Sequence, residues 1–287
     1  YMKIIGVDIG GTTIKAGLVA DDQVSRTASV DTPSDRPQHE VVQAVFKAIE
    51  EVFESDIAGI GIGVPGLVDQ QEQLVLDVVN IPSWDSLPLG ELVSDYFNKS
   101  VFVNNDANCY AIGEKYFGKG KPFSNFVGLT IGTGLGAGII INNHLYSGRF
   151  CGAGEFGNIY YRDRNIEAFA SGQFFRDKNL DGKLMYKRAS LGDPVALRLF
   201  EEFGVHLGRA IANILFALAP EAIIIGGSVS SAYNFFGESM NDFLDDNFPY
   251  RRLYNQLVIE VSDTPDMGIL GASSLVLDAR ALEKFNI

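Results

Sequence analysis

Three short runs of crowded apolar positions open the chain: Lys3–Asp8, Ile14–Ala20 and Gln23–Val30 read as strands, with Gly10-Gly11 at the first turn and Asp21-Asp22 at the second. They predict an antiparallel meander. After a polar loop containing Pro33 and Pro37, the spacing becomes helical at Val41, Val42, Val45, Phe46, Ile49, Val52 and Phe53, which predicts one amphipathic helix from about 39 to 54. An apolar strand, Ile57–Val64, ends at Pro65-Gly66. Then come a strand-like Gln73–Val79, a helix from near Pro88, a short strand Val101–Asn104 and a helix opening at Asp106 and reaching about Phe117. Strands and helices alternating in this way predict a mixed sheet with helices on its faces.

The breaker-rich stretch Gly118–Asn125 stands near the middle of the chain and reads as a domain junction. Beyond it the pattern repeats: Ile131-Gly132 echoes Ile9-Gly10, and Ala137-Gly138 echoes Ala16-Gly17 at nearly the same spacing. In both places a short strand meets a Gly/Thr turn and a second strand returns, so the chain reads as a duplication. Pro194–Leu218 then predicts a long helix, Ala222–Ile225 a buried strand stopped by Gly226-Gly227, and Val229 to about Asp246 a helix. Leu257–Val261 reads as a strand, and a last helix runs from Gly268 to about Lys284.

At 287 residues the chain holds one large domain or two ordinary ones. Acidic residues outnumber basic ones 36 to 23, a net charge of −13, and no Lys/Arg cluster interrupts the excess, which argues against nucleic acid as a partner. The two cysteines, Cys109 and Cys151, form no Cys-x-x-Cys pair and no disulfide framework, as expected of a reducing, cytoplasmic compartment. The longest apolar stretches, such as Ala210–Ala219, fall short of the roughly 18 to 20 residues a membrane span needs. The N-terminus lacks the basic-then-apolar order of a signal peptide, so a soluble protein with no membrane partner is expected. Tyr1, ahead of Met2, is set aside.

Chemistry concentrates in the glycine-flanked segments. Asp8 ends the first strand, Gly10 and Gly11 make the turn, and Thr12, Thr13 and Lys15 lead into the next strand. Glycines let backbone N–H groups approach phosphate oxygens, hydroxyls add donors, and a carboxylate can hold the magnesium that accompanies a nucleotide. An ordinary hairpin with positive-φ glycines accounts for the same residues equally well. Gly132-Thr133-Gly134-Leu135-Gly136 offers a second such loop without the acid. It satisfies a loose G-x-G-x-x-G/A dinucleotide pattern, but that pattern needs a helix next, and Ala137–Ile141 reads as a strand; no Walker-type P-loop exists anywhere. Asp106, after Asn105 and at a helix start, is placed to accept a proton from a substrate hydroxyl that Asn105 holds, or simply to cap the helix. Glu155 and Glu167 are acids in otherwise uncharged, glycine-flanked settings suited to sugar hydroxyls, although solvation explains any single Glu. Gly226-Gly227-Ser228 either admits an adenine to the backbone or is a plain strand-to-helix turn.

In order along the chain, D-I-G-G-T-T-I-K (8–15), G-I-G-V-P-G (61–66), V-N-N-D-A-N (103–108), I-G-T-G-L-G-A-G (131–138), G-A-G-E-F-G-N (152–158), E-A-F-A-S-G (167–172) and I-I-G-G-S (224–228) resemble the ROK family of bacterial sugar kinases and sugar-responsive repressors, a branch of the hexokinase/actin-like ATPase superfamily. The resemblance implies an α/β fold of two duplicated ribonuclease-H-like domains with a cleft between them: residues 1–118 plus about 269–287 as the smaller domain, and 119–268 as the larger. It implies ATP on both glycine hairpins and sugar deeper at the hinge. Carried over residue by residue, Asp106 matches the catalytic base, and Asn105, Glu155 and Glu167 match sugar ligands, with Gly66 and Asn80 as weaker sugar-pocket matches. Asp8, Gly10, Gly11, Thr12, Thr13 and Lys15 match the first phosphate element, with Asp8 serving magnesium indirectly. Thr133, Gly134 and Gly136 match the second, and Gly227 the adenosine element.

The chain departs from the family where His usually follows G-E-x-G to touch sugar and ligate zinc: Asn158 stands there. Tyr160–Asn165 replaces the cysteine-rich zinc loop. A structural zinc site takes about four N/S ligands, so no zinc is expected, and the contact at Asn158 is altered. The expected activity is ATP- and magnesium-dependent phosphorylation of a hexose hydroxyl, glucokinase-like at the 6-OH. N-acetylmannosamine, N-acetylglucosamine, fructose, allose or a β-glucoside are the other sugars in view, and a homodimer is implied. The rivals are a sugar-sensing regulator, for which a helix-turn-helix finds no room before the first strand, and an actin-like ATPase, which does not need Asn105, Asp106, Glu155 and Glu167 together.

Overall fold

The structure is a computed structural model and describes residues 2–78 and 80–285. Tyr1, Asn286, Ile287 and Val79, the end of the expected strand Gln73–Val79, lie outside the described residues. The expected meander is formed by β1 (Ile4–Ile9), β2 (Thr13–Ala20) and β3 (Gln23–Asp31), with Asp8 opposite Lys15 in an antiparallel register. Helix α1 (Gln38–Glu50) buries Val41, Val42, Val45, Ala48 and Ile49; each such side chain contributes roughly 1.5–3 kcal/mol by leaving water. It stops short of the expected residue 54 because the last turn tightens, Val52 N–H bonding to Ile49 O and Phe53 N–H to Glu50 O. Strand β4 (Ile60–Val64) runs parallel to β1 and is buried throughout. The short strands β5 (Leu67–Asp69), β6 (Leu74–Leu76) and β7 (Ser86–Leu87) form a separate small sheet, and α2 (Leu89–Phe97) leads to β8 (Val101–Asn105), parallel to β4, and to α3 (Asp106–Tyr116).

The second half begins with β9 (Phe126–Ile131), β10 (Leu135–Ile141) and β11 (His144–Tyr146). A small hairpin, β12 (Tyr160–Tyr161) with β13 (Arg164–Asn165), precedes the short helices α4 (Glu167–Ala170), α5 (Gln173–Asp177) and α6 (Gly182–Ser190). The long α7 (Pro194–Leu218) starts where its cap dictates: Asp193 accepts from Val195 and Ala196 N–H, and a proline opens the first turn. After β14 (Ala222–Gly226) the expected helix from Val229 begins as a 3₁₀ turn and becomes α8 only at Tyr233–Asn247. Then α9 (Arg251–Tyr254), β15 (Val258–Val261) and α10 (Met267–Phe285) complete the chain.

The two large sheets have matching strand orders, β3-β2-β1-β4-β8 and β11-β10-β9-β14-β15. Each is a hairpin-built half followed by two parallel strands, the topology of a duplicated α/β unit. The chain divides into two compact units. The first, and larger, is Tyr1–Ser124 with Gly138–Ala153 and Asp263–Ile287; the second is Asn125–Ala137 with Gly154–Ser262. Thus Gly138–Ala153, placed by sequence in the second half, packs with the first, where Gly138 lies against Ala107 and Ala111 of α3. In the first unit α10 lies so close on the sheet that a Cβ at Gly61 would stand 1.8 Å from Ala272 O.

Candidate functional site

In the first unit, β8 feeds directly into α3, and the turn between them carries Asn105 and Asp106. Asn105, not Asp106, is the N-cap: its Oδ1 accepts from Ala107 and Asn108 N–H. Its Nδ2 donates to Gly66 O at 3.1 Å, so two of the expected sugar-pocket residues meet. Asp106 is the first helical residue and is exposed, with Oδ1 accepting from Ala107 N–H at 2.8 Å. A carboxylate there faces the positive end of the helix dipole.

Asp8 is largely withdrawn from solvent. Burial pushes its carboxyl above the ordinary range, opposed by the charge of Lys15 across the strand pair. It also lies against the first turn of α10: a Cβ at Gly268 would stand 2.4 Å from Asp8 Oδ2. Asp8 and Asp106 share a neighbour in Cys109, whose thiol is pushed up first by burial, then by the Asp106 and Asp8 charges. The Gly10–Thr13 turn is closed by Gly10 N–H to Thr13 O at 2.9 Å and braced by Thr32, whose hydroxyl donates to Gly10 O and whose N–H donates to Thr12 O. Asn80, expected on the sugar side, packs against this turn, where a Cβ on Gly11 would come within 2.8 Å of its own Cβ.

In the second unit the Gly132–Gly136 turn is held from another segment. Glu167 Oε2 accepts from Leu135 N–H at 2.9 Å, and Oε1 accepts from Gln173 Nε2 at 2.7 Å. Ser171 Oγ and the Arg176 guanidinium both donate to Thr133 O, and Gly172 N–H donates to Gly132 O. A Cβ at Gly134 would stand 2.4 Å from Glu167 Oε2, so a side chain there would displace that carboxylate. An ionised carboxylate has about four acceptor positions, so Glu167 keeps capacity for a ligand. Glu155 and Asn158 are both exposed and joined, Asn158 Nδ2 donating to Glu155 Oε2 at 2.8 Å. Asn165 Nδ2 donates to Asn158 Oδ1, and Asn165 Oδ1 accepts from Ala168 N–H, which chains Glu155 to the helix carrying Glu167. The β12–β13 hairpin, standing where the resemblance has a metal loop, is anchored by the Tyr161 ring against Phe169 and His206, and by an Arg164–Asp177 ion pair. Burial lowers the pKa of His206, with Arg162 adding to the effect. Gly227 has φ +87°, and a Cβ would meet Ile131 O at 2.5 Å, so this turn needs glycine.

A cavity of about 600 Å³ opens in the second unit beside both glycine turns, touching Thr133 on one and Ser228 on the other. Its walls include Phe175 and Tyr186, and its cations are Arg176, Lys183 and Lys187. Apolar rings with a cationic rim suit a heterocyclic base and phosphates. Unlike Thr133 and Ser228, the residues Phe175, Arg176, Lys183, Tyr186 and Lys187 lie in no glycine-flanked motif of the sequence. The available signal was the Lys183/Lys187 pair, four apart on α6 and therefore on one face. Thr32 carries no local signal, and Ser171 shows no role within the 167–172 motif, because each bonds to a turn far along the chain; Gln173 acts only through Glu167. Among the described residues no group of three or more His, Cys, Asp or Glu is placed to hold a metal ion, and no helix is long and apolar enough to cross a membrane.

The sequence pattern of the ROK family matches residues 4–279. A glucokinase of Thermotoga maritima is 31% identical over 96% of this chain and 97% of its own. A xylose repressor of Caldicellulosiruptor bescii is 30% identical over 96% of this chain and 78% of its own. Among solved structures, a ROK family glucokinase from Streptomyces griseus in complex with glucose and AMPPNP superposes with a TM-score of 0.80 at 31% identity, covering 95% of this chain and 98% of that one.

Proposed function

The chain belongs to the ROK family and is a sugar kinase of it, and from that premise we propose that it transfers the γ-phosphoryl group of ATP to a hexose hydroxyl, the 6-OH of a glucose-like sugar. The observation that carries the proposal is Asp106, an exposed carboxylate on a turn fixed by the Asn105 cap and its bond to Gly66. In the proposed reaction the hydroxyl oxygen attacks the γ-phosphorus, its proton passes to Asp106, and ADP leaves with the electron pair of the broken P–O bond; such a base contributes typically 10²- to 10⁴-fold. Asn105, Glu155, Asn158 and Glu167 would hold sugar hydroxyls, with Gly66 and Asn80 supporting them. The backbone of Gly10–Thr13 and Gly134–Gly136, with Lys15 and Thr133, would take the phosphates, and the cavity at Tyr186 and Gly227–Ser228 the adenosine.

A single carboxylate plus phosphate oxygens is a donor set suited to magnesium, so Asp8 fits the role of holding it through water. When bound, the ion offsets charge on the phosphates. Zinc has no part in the proposal, because Asn158 and Tyr160–Asn165 stand where the family's ligands would be. A homodimer in the cytoplasm completes it, on the resemblance.

Asp106→Asn tests the assignment: turnover should vanish while melting temperature and sugar binding stay close to wild type, and retained turnover would place the base elsewhere. A coupled assay over glucose, mannose, fructose, allose, N-acetylmannosamine and N-acetylglucosamine identifies the acceptor. The similarity to a xylose repressor favours one second reading, a sugar-sensing regulator. Sugar binding without sugar-dependent ATP consumption would select it.

A further inference from the structure

Two residues of the 103–108 motif, Asn104 and Asn108, have no part in the proposed chemistry, yet both side chains are fully buried. They form a continuous relay inside the first unit. Asn104 Oδ1 accepts from Asn105 N–H at 2.8 Å and from Asn108 Nδ2 at 2.9 Å. Asn104 Nδ2 donates to Ser147 Oγ at 3.0 Å, and Asn108 Nδ2 donates its second hydrogen to Cys151 O at 3.3 Å. One end of the relay therefore fixes the backbone one residue before Asp106. The other end grips a loop whose Phe150 and Cys151 both hold positive φ, 54° and 56°, a conformation that L side chains adopt only when the surroundings impose it.

Asn108 Oδ1 is buried with no hydrogen-bond partner among the described residues. A core selected for stability alone has no use for an amide that leaves an acceptor unsatisfied, whereas one that must bridge two carbonyl oxygens with a single N–H₂ group does.

We propose that Asn104 and Asn108 are positioning residues: a buried amide relay that sets the Asp106 turn against the Ser147–Cys151 loop, so that the order of this loop is a condition for a productive Asp106. In sequence the loop leads on to Gly154-Glu155, the segment proposed to hold the sugar. The inference rests on Asp106 being the catalytic base. Small misplacements of a reacting group cost on the order of 10²-fold in rate, which sets the scale of the effect.

The test uses the full chain, ATP, magnesium and whichever hexose of the panel wild type turns over fastest. Asn108→Ala should lower kcat by about 10- to 100-fold with KM for ATP and sugar within about twofold. Asn108→Asp has the sharper readout. Its carboxylate cannot donate to Asn104 Oδ1, but its protonated form can, so its kcat relative to wild type should rise as pH falls from 9 to 6, while the ratio for Asn108→Ala stays flat. If both core variants fail to fold, Ser147→Ala removes only the loop end of the relay and should cut kcat several-fold at unchanged KM. Wild-type kcat in the variants that fold, a KM that rises as much as kcat falls, or a flat pH ratio for Asn108→Asp would each overturn the relay. An active Asp106→Asn control would instead overturn the assignment of the base.

Discussion

Burial outweighs every nearby charge at Asp8, and the consequence for stability can be signed. A carboxyl whose folded-state pKa lies above its unfolded value binds more protons when folded, so stability falls as pH rises from the unfolded pKa through the folded one. Above its unfolded-state pKa, Asp8 is therefore a burden that the free protein carries. Asp8→Asn should raise the melting temperature at pH 7–8 and raise KM for ATP; the thermal gain should vanish below about pH 4, where Asp8 is protonated folded or unfolded. Differential scanning fluorimetry across pH, beside initial-rate kinetics, reads both effects. Glu167 instead matters through a hydrogen bond, since it accepts from the N–H of Leu135. Glu167→Ala should cost about 1–3 kcal/mol and raise KM for ATP as well as for sugar, because the glycine turn loses its brace. A KM change for sugar alone would confine Glu167 to the sugar.

At the scale of elements, the positions that fix packing are those where side chains are absent. Gly61 on β4 lets α10 settle onto the sheet, and a methyl group at 1.8 Å from Ala272 O has no room unless the helix moves. Gly61→Ala should destabilise by about 1–3 kcal/mol, read as a lower melting temperature, and because α10 borders Asp8 the variant should also bind ATP more weakly. Long elements with local signals were legible beforehand. Helix α7 begins at Pro194, directly after its cap Asp193, and ends at Leu218 as its cap and periodicity require. The β12–β13 hairpin and α4–α6 were not, because elements of two to nine residues carry little periodicity and are held by partners far along the chain, as Tyr161 is by His206.

For the whole molecule, a sugar kinase should consume ATP only when its sugar is present, and the chelator EDTA, once magnesium is restored in excess, should leave the rate unchanged if zinc has no role. Sugar and a non-hydrolysable ATP analogue should each raise the melting temperature. The gain is about 2.7 kcal/mol at a hundredfold excess over Kd for a ligand that binds only the folded chain. Sugar-independent ATP consumption at the full rate would refute the kinase assignment. The duplication inferred from Ile9-Gly10 and Ile131-Gly132 is matched by two sheets of the same strand order, each glycine turn following the strand paired to the parallel half.

Sequence by itself determined the glycine turns, the strands they join, the helix start at the acid after Asn105 and the family, because backbone conformation, periodicity and capping are local properties that a few adjacent residues specify. Tertiary structure alone decided what holds each turn: Thr32 on the first, Glu167, Ser171, Gly172 and Arg176 on the second, and a buried pair of amides behind Asp106. Those bonds join residues up to 43 positions apart, and whether two such groups meet depends on strand register and helix placement, which no short stretch of chain encodes.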